Sequence, residues 1–398
     1  DGVFWAMSAL WSSWLWRSDE ARALRPYLRR RRFDWDWHWR ALRDALTEVG
    51  PRLTENGRLV TLFEPDDGSM VVSVCLAAAS AGYRLDGWGY ATEVGYRLVW
   101  RWDEPRRTNL ISADEGREVM ALEMEKGLAA ALRRRGEPTH ESVLHAAVHA
   151  RLAGRGFLNL PERLEADDTI RDLVDEAFDT ALRAAPLVRI GGTAVDRETQ
   201  WWLRELDLKT DPLADRVEIL VRELLSQRSR WGEDALIEAV YTHFAGALTP
   251  ELTLVHTCLS SYGTYEDSDL RLRPEDDLGK RRSEIVTVRR NLLALGRRLG
   301  FHSCSGEGWD ARWLADGRPA FLFAVSATAV MAPRLLSDSP AHTDGERCLV
   351  VPGGRAELIH LKLQRDQRLA EAVTSGAWQF IKFRHLRRLM DEEDLDRQ

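Results

Sequence analysis

Long hydrophobic runs are missing from this chain. The most extended apolar stretch covers residues 70–81, well short of the roughly 20 residues that a membrane-crossing helix needs. No membrane span is expected, and the cytoplasm is the expected compartment. Paired cysteines are missing too: Cys75, Cys258, Cys304 and Cys348 each stand alone, with no Cys-x-x-Cys. That pattern fits a reducing compartment and excludes a disulfide framework and a zinc knuckle. There is no basic excess either. The formal charge is −7, whereas a protein that grips nucleic acid over a wide surface needs cations to neutralise phosphates. Any contact with DNA is therefore expected to be local. Nothing at the start resembles a basic-then-apolar leader; the chain opens on Asp1-Gly2-Val3, and we expect it to be the back part of a larger protein.

What is present is unevenly spread. Of the 56 Lys+Arg and 63 Asp+Glu, the first 107 residues hold 16 and 15, so the front is near neutral and the rest acidic. Ten of the 16 tryptophans fall within the first 102 residues. A chain of 398 residues exceeds one ordinary core, at about 100–200 residues per domain. The composition shift places a boundary near Arg107.

Before that boundary, Phe4, Met7, Trp11, Trp14 and Leu15 recur at helical spacing, as do Trp35, Trp39, Leu42 and Leu46. Asn56-Gly57 then punctuates the chain, and residues 58–63 read as a short buried strand. Residues 70–81 read as a helix ending at Gly82, where a left-handed residue is wanted. Residues 83–90 and 96–102 are strand-like, with Gly95 in the link between them, and are expected to pair as a hairpin.

This order, helix, strand, helix, antiparallel strand pair, resembles the second half of the class I S-adenosylmethionine-dependent methyltransferase fold. The phrase Leu53-Thr-Glu-Asn-Gly-Arg-Leu-Val60 looks like that family's turn into strand five. The resemblance covers about a quarter of the chain and implies an α/β fold with a partial Rossmann-like sheet. The family holds its cofactor on a glycine-rich turn after strand one. No such turn is found here, since neither residues 82–89 nor Gly191-Gly192 follow a strand and open a helix. S-adenosylmethionine is thus implied for a parent protein carrying the missing N-terminal half, and is not expected to bind this chain alone. In the amino-methylating DNA enzymes of the family, an Asp/Asn-Pro-Pro-aromatic loop would fall just before Asp1. No catalytic residue is assigned within this chain, and DNA is the implied partner.

The most unusual segment is Arg29, Arg30, Arg31, Arg32, Phe33, Asp34, Trp35, Asp36, Trp37, His38, Trp39. Arginine forks bind phosphate and aromatic faces stack bases, so Arg29, Arg30, Arg31, Arg32, Trp35 and Trp37 are candidate substrate-binding residues. The competing reading places Trp35 and Trp39 in the core, Trp37 over an exposed edge, and the arginines against Asp34 and Asp36. His38 reads as a packed histidine. His145 and His149 have the i, i+4 spacing of helix-borne metal ligands, but no His-Glu-x-x-His motif accompanies them and no metal is expected.

Beyond the boundary, residues 114–135, 141–153 and 168–184 read as amphipathic helices. Residues 233–244 and 250–262 read as short helices of either a winged-helix unit or a plain helical connector. Residues 264–280 read as a linker. Then Trp309-Asp310-Ala-Arg-Trp313, a turn at Asp316-Gly317, and strands at 320–325 and 348–352 resemble the core of restriction-endonuclease-like nucleases. That resemblance implies a metal-binding acid at Asp310 and a Glu-x-Lys where Ala324-Val325-Ser326 stands. One carboxylate cannot hold magnesium, which takes several oxygen ligands, so this domain is read as inactive. Lys362, Arg365, Lys382, Arg384, Arg387 and Arg388 form either a phosphate-contacting set or a solvated face.

The expected organisation is 1–107, trailing half of a methyltransferase domain; 108–190, helical; 191–263, helical, with the winged-helix alternative; 264–282, linker; 283–398, a nuclease-like α/β domain. Two functions stay open. One is a fragment of a prokaryotic DNA methyltransferase-like protein; the other is a non-catalytic nucleic-acid-associated scaffold with vestigial methyltransferase and nuclease folds.

Overall fold

The computed structural model describes Trp14 and residues 35–64, 68–91, 93–103, 113–155, 170–190, 200–204, 210–336 and 345–392. The fold is mixed α/β, with 13 α-helices and four small sheets among these residues. No helix among them is long and apolar enough to cross a membrane.

The first sheet follows the expected order. Helix α1 (Trp35–Val49) precedes β1 (Leu59–Phe63), α2 (Gly68–Ser80), β2 (Tyr83–Ala91) and β3 (Gly95–Trp102). Gly82 ends the α2 segment with φ 86°, the left-handed turn that ends many helices. Gly95, at φ 88°, has no room for a side chain, because a Cβ there would stand 2.3 Å from the Phe63 carbonyl oxygen. The sheet runs β1-β3-β2, with β3 antiparallel to both neighbours, so β1 and β2 are parallel to each other.

Helix α2 carries almost no polar side chains. Val71, Val72, Cys75, Leu76, Ala77 and Ala78 are all at most 1% exposed, and a helix that is apolar all round must be covered all round. Helix α1 and the sheet cover part of it. The remaining cover comes from beyond Arg107, from α4 (Glu141–Arg155), itself packed on α3 (Ala113–Arg135). Helix α5 (Ile170–Ala184) completes the cluster. One hydrophobic core therefore runs from Trp39 to Leu203, and the boundary expected near Arg107 does not divide it. The stretch 108–190 is not purely helical either: β4 (Thr139–His140), β5 (Leu187–Ile190) and β6 (Gln200–Leu203) make a sheet of order β4-β6-β5.

The rest of the chain is built around a second core and a smaller third one on the opposite face of its last sheet. Helices α6 (Leu213–Gln227), α7 (Glu233–His243) and α8 (Leu252–Tyr262) are followed by a hairpin of β7 (Gly263–Glu266) and β8 (Asp269–Leu272). Trp231, between α6 and α7, bridges antiparallel to Leu270 of β8. The expected linker at 264–282 is thus ordered: its hairpin turns at Asp267 and Ser268, both at positive φ, and it continues into α9 (Leu278–Arg298).

A five-stranded sheet closes the fold, order β13-β12-β11-β10-β9. Its strands are β9 (His302–Gly306), β10 (Trp309–Ala315), β11 (Arg318–Val325), β12 (Glu346–Val351) and β13 (Trp378–Lys382). The first three form an antiparallel meander, and β11, β12 and β13 are parallel. Helices α10 (Ala332–Leu335), α11 (Ala356–Arg365), α12 (Gln367–Ser375) and α13 (Phe383–Asp391) complete it. Residues from Leu213 to Trp378 bury one continuous apolar cluster, so the units expected at 191–263 and 283–398 are not separate bodies.

Candidate functional site

A cleft of 660 Å³ opens at the tip of the β2–β3 hairpin, opposite α7. Two glycines bring its walls together. Gly246 donates its amide to the Trp88 carbonyl at 2.8 Å and pairs with Gly89 as a parallel bridge. A Cβ on Gly89 would stand 3.0 Å from Thr249 Oγ1, and one on Gly246 3.3 Å from the Trp88 indole. The connection from α7 to α8 is thereby laid along the edge of β2.

Charged groups fix that connection. The buried Arg135 guanidinium donates to the Ala247 carbonyl at 2.8 Å. Glu93, at the hairpin tip, accepts from the amides of Thr253 and Leu252 at 3.2 and 3.4 Å, capping the start of α8, where Glu251 makes no side-chain cap of its own. Glu137 binds the Ala214 amide at 2.9 Å and Arg365 at 3.0 Å. Burial works against the ionised form of Glu137, but Arg365 and Arg135 more than offset it and hold its carboxyl below the ordinary range.

The cleft lies at the carboxyl end of β2, the end of a strand at which open α/β sheets place their ligands. Trp88, Val94, Ile237 and Tyr241 give apolar walls; Arg97, Asp234 and Glu238 supply charge. The Tyr241 hydroxyl is buried without a hydrogen-bond partner among the described residues. Burial, with Glu93 nearby, pushes its pKa up to about 12, so it remains a neutral donor. Such a cleft can take a flat, largely apolar group that carries an acceptor for Tyr241 and donors for the carboxylates.

The structure also locates the other sequence candidates. Arg29, Arg30, Arg31 and Arg32 lie outside the described residues, as do the side chains of Trp35 and Trp37, although both tryptophans belong to α1. Trp39 is 1% exposed, with Arg40 and Arg43 over its ring. The His145 and His149 rings lie 4.0 Å apart between centroids, tilted by 40°, inside the first core. Burial drives both pKa values down, His149 to about 4, and no group of three metal-ligating side chains occurs among the described residues.

In the five-stranded sheet, Asp310 and the 324–326 segment do meet across β10 and β11. Asp310 Oδ2 accepts the Val325 amide at 2.6 Å, while its Oδ1 pairs with Arg289 Nη2 at 2.6 Å. An arginine thus holds the carboxylate that a nuclease would spend on a metal. Lys362, read as a surface cation, is instead 1% exposed and bound by Asp215 and Glu218. Its charge is needed inside: burial lowers its pKa, but the two carboxylates more than reverse this and the net shift is upward. Glu218 also receives the Tyr262 hydroxyl and the Ala329 amide. Arg365 is likewise engaged, with Glu137 and Glu251. Sequence reasoning missed the cleft altogether, because its two walls are about 150 positions apart and neither carries a motif.

No family model, curated protein or solved structure matches this chain.

Proposed function

We propose that residues 35–103 are the closing half of a methyltransferase-type Rossmann sheet, and that the chain forms the target-holding side of a DNA-base methyltransferase. One observation carries the reading: the sheet is unfinished along β1. In the methyltransferase fold the last strand inserts antiparallel between the fifth and sixth, the order that β1-β3-β2 has here. Among the described residues nothing pairs with the outer edge of β1, and Val60 and Leu62 on its outer face are 45% and 71% exposed. A strand that is apolar on both faces belongs in the middle of a covered sheet. The neighbouring strand and the covering helices, with the S-adenosylmethionine site, are supplied by a segment outside residues 35–392.

In this reading the cleft at Trp88 and Tyr241 receives the target base, which must leave the stack to be modified. The arginines at 29–32, with Trp35 and Trp37, are the substrate-binding candidates of this reading. Helices α6, α7 and α8 with the β7–β8 hairpin fit a winged-helix unit, but its hairpin tip carries Glu266, Asp267 and Asp269 and its exposed α8 positions, Thr253 and Ser260, carry no cation. That unit then serves as a wall of the cleft rather than as a reader of DNA.

The test uses the gene product that includes the preceding coding sequence. Radiolabelled methyl transfer from S-adenosylmethionine to DNA is expected, and Tyr241→Phe is expected to reduce it by tenfold or more. Calorimetry of residues 1–398 alone with S-adenosylmethionine should give no heat of binding. Micromolar affinity, or a preceding sequence with neither a glycine-rich turn nor an Asp/Asn-Pro-Pro-aromatic loop, overturns the reading. The Arg289–Asp310 pair favours a second reading for the C-terminal sheet alone, that of a non-catalytic scaffold.

A further inference from the structure

The carboxyl ends of β12 and β13 open on another cavity, of 240 Å³. Strand β12 leads through Pro352-Gly353-Gly354-Arg355 directly into α11. A glycine turn between a strand and a helix lets backbone amides approach an anion, and helix starts leave such amides without helical partners.

The walls are basic in a chain whose net charge is −7. Arg273, Arg281, Arg355, Arg384 and Arg387 line the cavity, against Glu275, Asp276 and Glu284. Three of these arginines are neutralised locally: Asp276 Oδ1 takes Arg281 and Arg355, and Glu284 takes Arg281 and Arg387. The other two are not. Arg273 spends its guanidinium on the carbonyls of Ser260 and Gly263, at 2.6 and 2.9 Å, which are neutral. Arg384 is exposed at the mouth and pairs with no carboxylate among the described residues. Lys382 adds a third uncompensated cation, its Cδ standing 3.9 Å from where a Cβ on Gly353 would be.

A separate atom asks for a donor. The Asp276 side chain is 2% exposed, and its Oδ2 has no hydrogen-bond partner among the described residues. A buried oxygen left unpaired is costly, and a hydroxyl brought by a ligand would satisfy it. The space suits this combination. At 240 Å³ the cavity is smaller than the ~300–1,000 Å³ typical of pockets for larger organic ligands. An adjoining hollow of 420 Å³ shares Glu275, Glu284 and Arg387 with it and extends along α9 past Ser283 and Thr287.

We propose that this cavity binds a phosphorylated sugar, that of a nucleotide at the end of a nucleic-acid strand. The phosphate sits against Gly353, Gly354, Arg273 and Arg384, a sugar hydroxyl reaches Asp276, and the base extends into the hollow along α9. The proposal stands apart from the methyl-transfer reading, since the cavity belongs to the other core.

The test is a fluorescence-anisotropy titration of the full chain with a 5′-phosphorylated single-stranded oligonucleotide and the same strand without the phosphate. The phosphorylated strand is expected to bind at least tenfold more tightly. The double variant Lys382→Ala/Arg384→Ala should remove that preference, while Arg388→Ala, on the same helix but paired with Glu392, should keep it. If the double variant melts early, Arg384→Ala alone serves, its side chain being exposed. Displacement by a nucleoside monophosphate and by the phosphorylated strand supports the site with the strand end as its source. Calorimetric binding of the monophosphate that the double variant loses, with no binding of either strand, supports the site and assigns it to free nucleotide. Equal affinity for the two strands with no effect of the monophosphate, or a preference that survives the double variant, overturns it.

Discussion

Arg289 and Asp310 meet at 2.6 Å beside the five-stranded sheet, and the other oxygen of Asp310 holds the amide of Val325, also at 2.6 Å. Each carboxylate oxygen thus has a protein partner. Asp310→Ala should cost about 1–2 kcal/mol, since it removes a hydrogen bond to a charged group and leaves an amide unpaired. Arg289→Ala should cost under about 0.5 kcal/mol, because its side chain is 47% exposed. Urea titration reads both. Millimolar magnesium should leave the melting temperature unchanged, and a magnesium-dependent rise lost in Asp310→Ala counts against an inactive unit.

Lys362 sits where three helices meet, between Asp215 and Glu218 of α6. Lys362→Met leaves two buried carboxylates with no cation, and should destabilise the protein by about 3–5 kcal/mol. Burial already pushes the Asp215 carboxyl up, so it will take a proton once Lys362 is gone. Adding Glu218→Gln should therefore recover at least about 1 kcal/mol. A double variant no more stable than Lys362→Met alone would refute this account.

Acid should weaken the first core through its histidine pair. The His149 pKa is held down to about 4 by burial, and His145 is lowered as well. Near neutral pH the unfolded and folded chains both carry these rings neutral. Between about pH 6.5 and pH 4 the unfolded chain binds protons that the folded one refuses, so stability falls as pH falls. For His149 the loss reaches about 3 kcal/mol by pH 4. His149→Gln should flatten the pH dependence of urea midpoints over this window, and an unchanged slope excludes the pair as its source.

Leu62 offers a clean probe of the open strand. It is 71% exposed, so Leu62→Lys should alter the stability of this chain by less than about 0.5 kcal/mol. The same change should abolish association with the segment that completes the sheet. Hydrogen exchange provides the readout: the outward-facing β1 amides should gain protection from that segment in the unaltered chain and not in the variant. Equal protection in both would mean that β1 is not the junction.

Much of the secondary structure was legible because it is local. The apolar run before Gly82 marked α2, and Gly95 marked the β2–β3 turn. Partition was not legible. The tryptophan-rich composition stops near Arg107, yet the burial of α2 is completed by α4, which lies beyond that point. The stretch 264–282 looked like a linker because Glu266, Asp267 and Asp269 are polar, while the turn at Asp267-Ser268 that makes it a hairpin depends on backbone conformation. Among the site candidates, basic residues near the end looked alike in sequence. Lys362 is interior because Asp215 and Glu218, some 145 positions away, share one face of α6; Arg384 is at a cavity mouth because β13 runs directly into α13.

The cap that Glu93 places on α8 has a mechanical consequence. Helix α8 belongs to the second core, but its first turn is completed by a carboxylate from the first, and Glu137 does the same for the start of α6. Arg216 of α6 in turn binds the Arg134 and Arg135 carbonyls at the end of α3, so each core lends the other a helix end. Cutting the backbone between residues 204 and 210 should leave the two fragments associated, and heating should melt them in one step, because neither can finish its own helices alone.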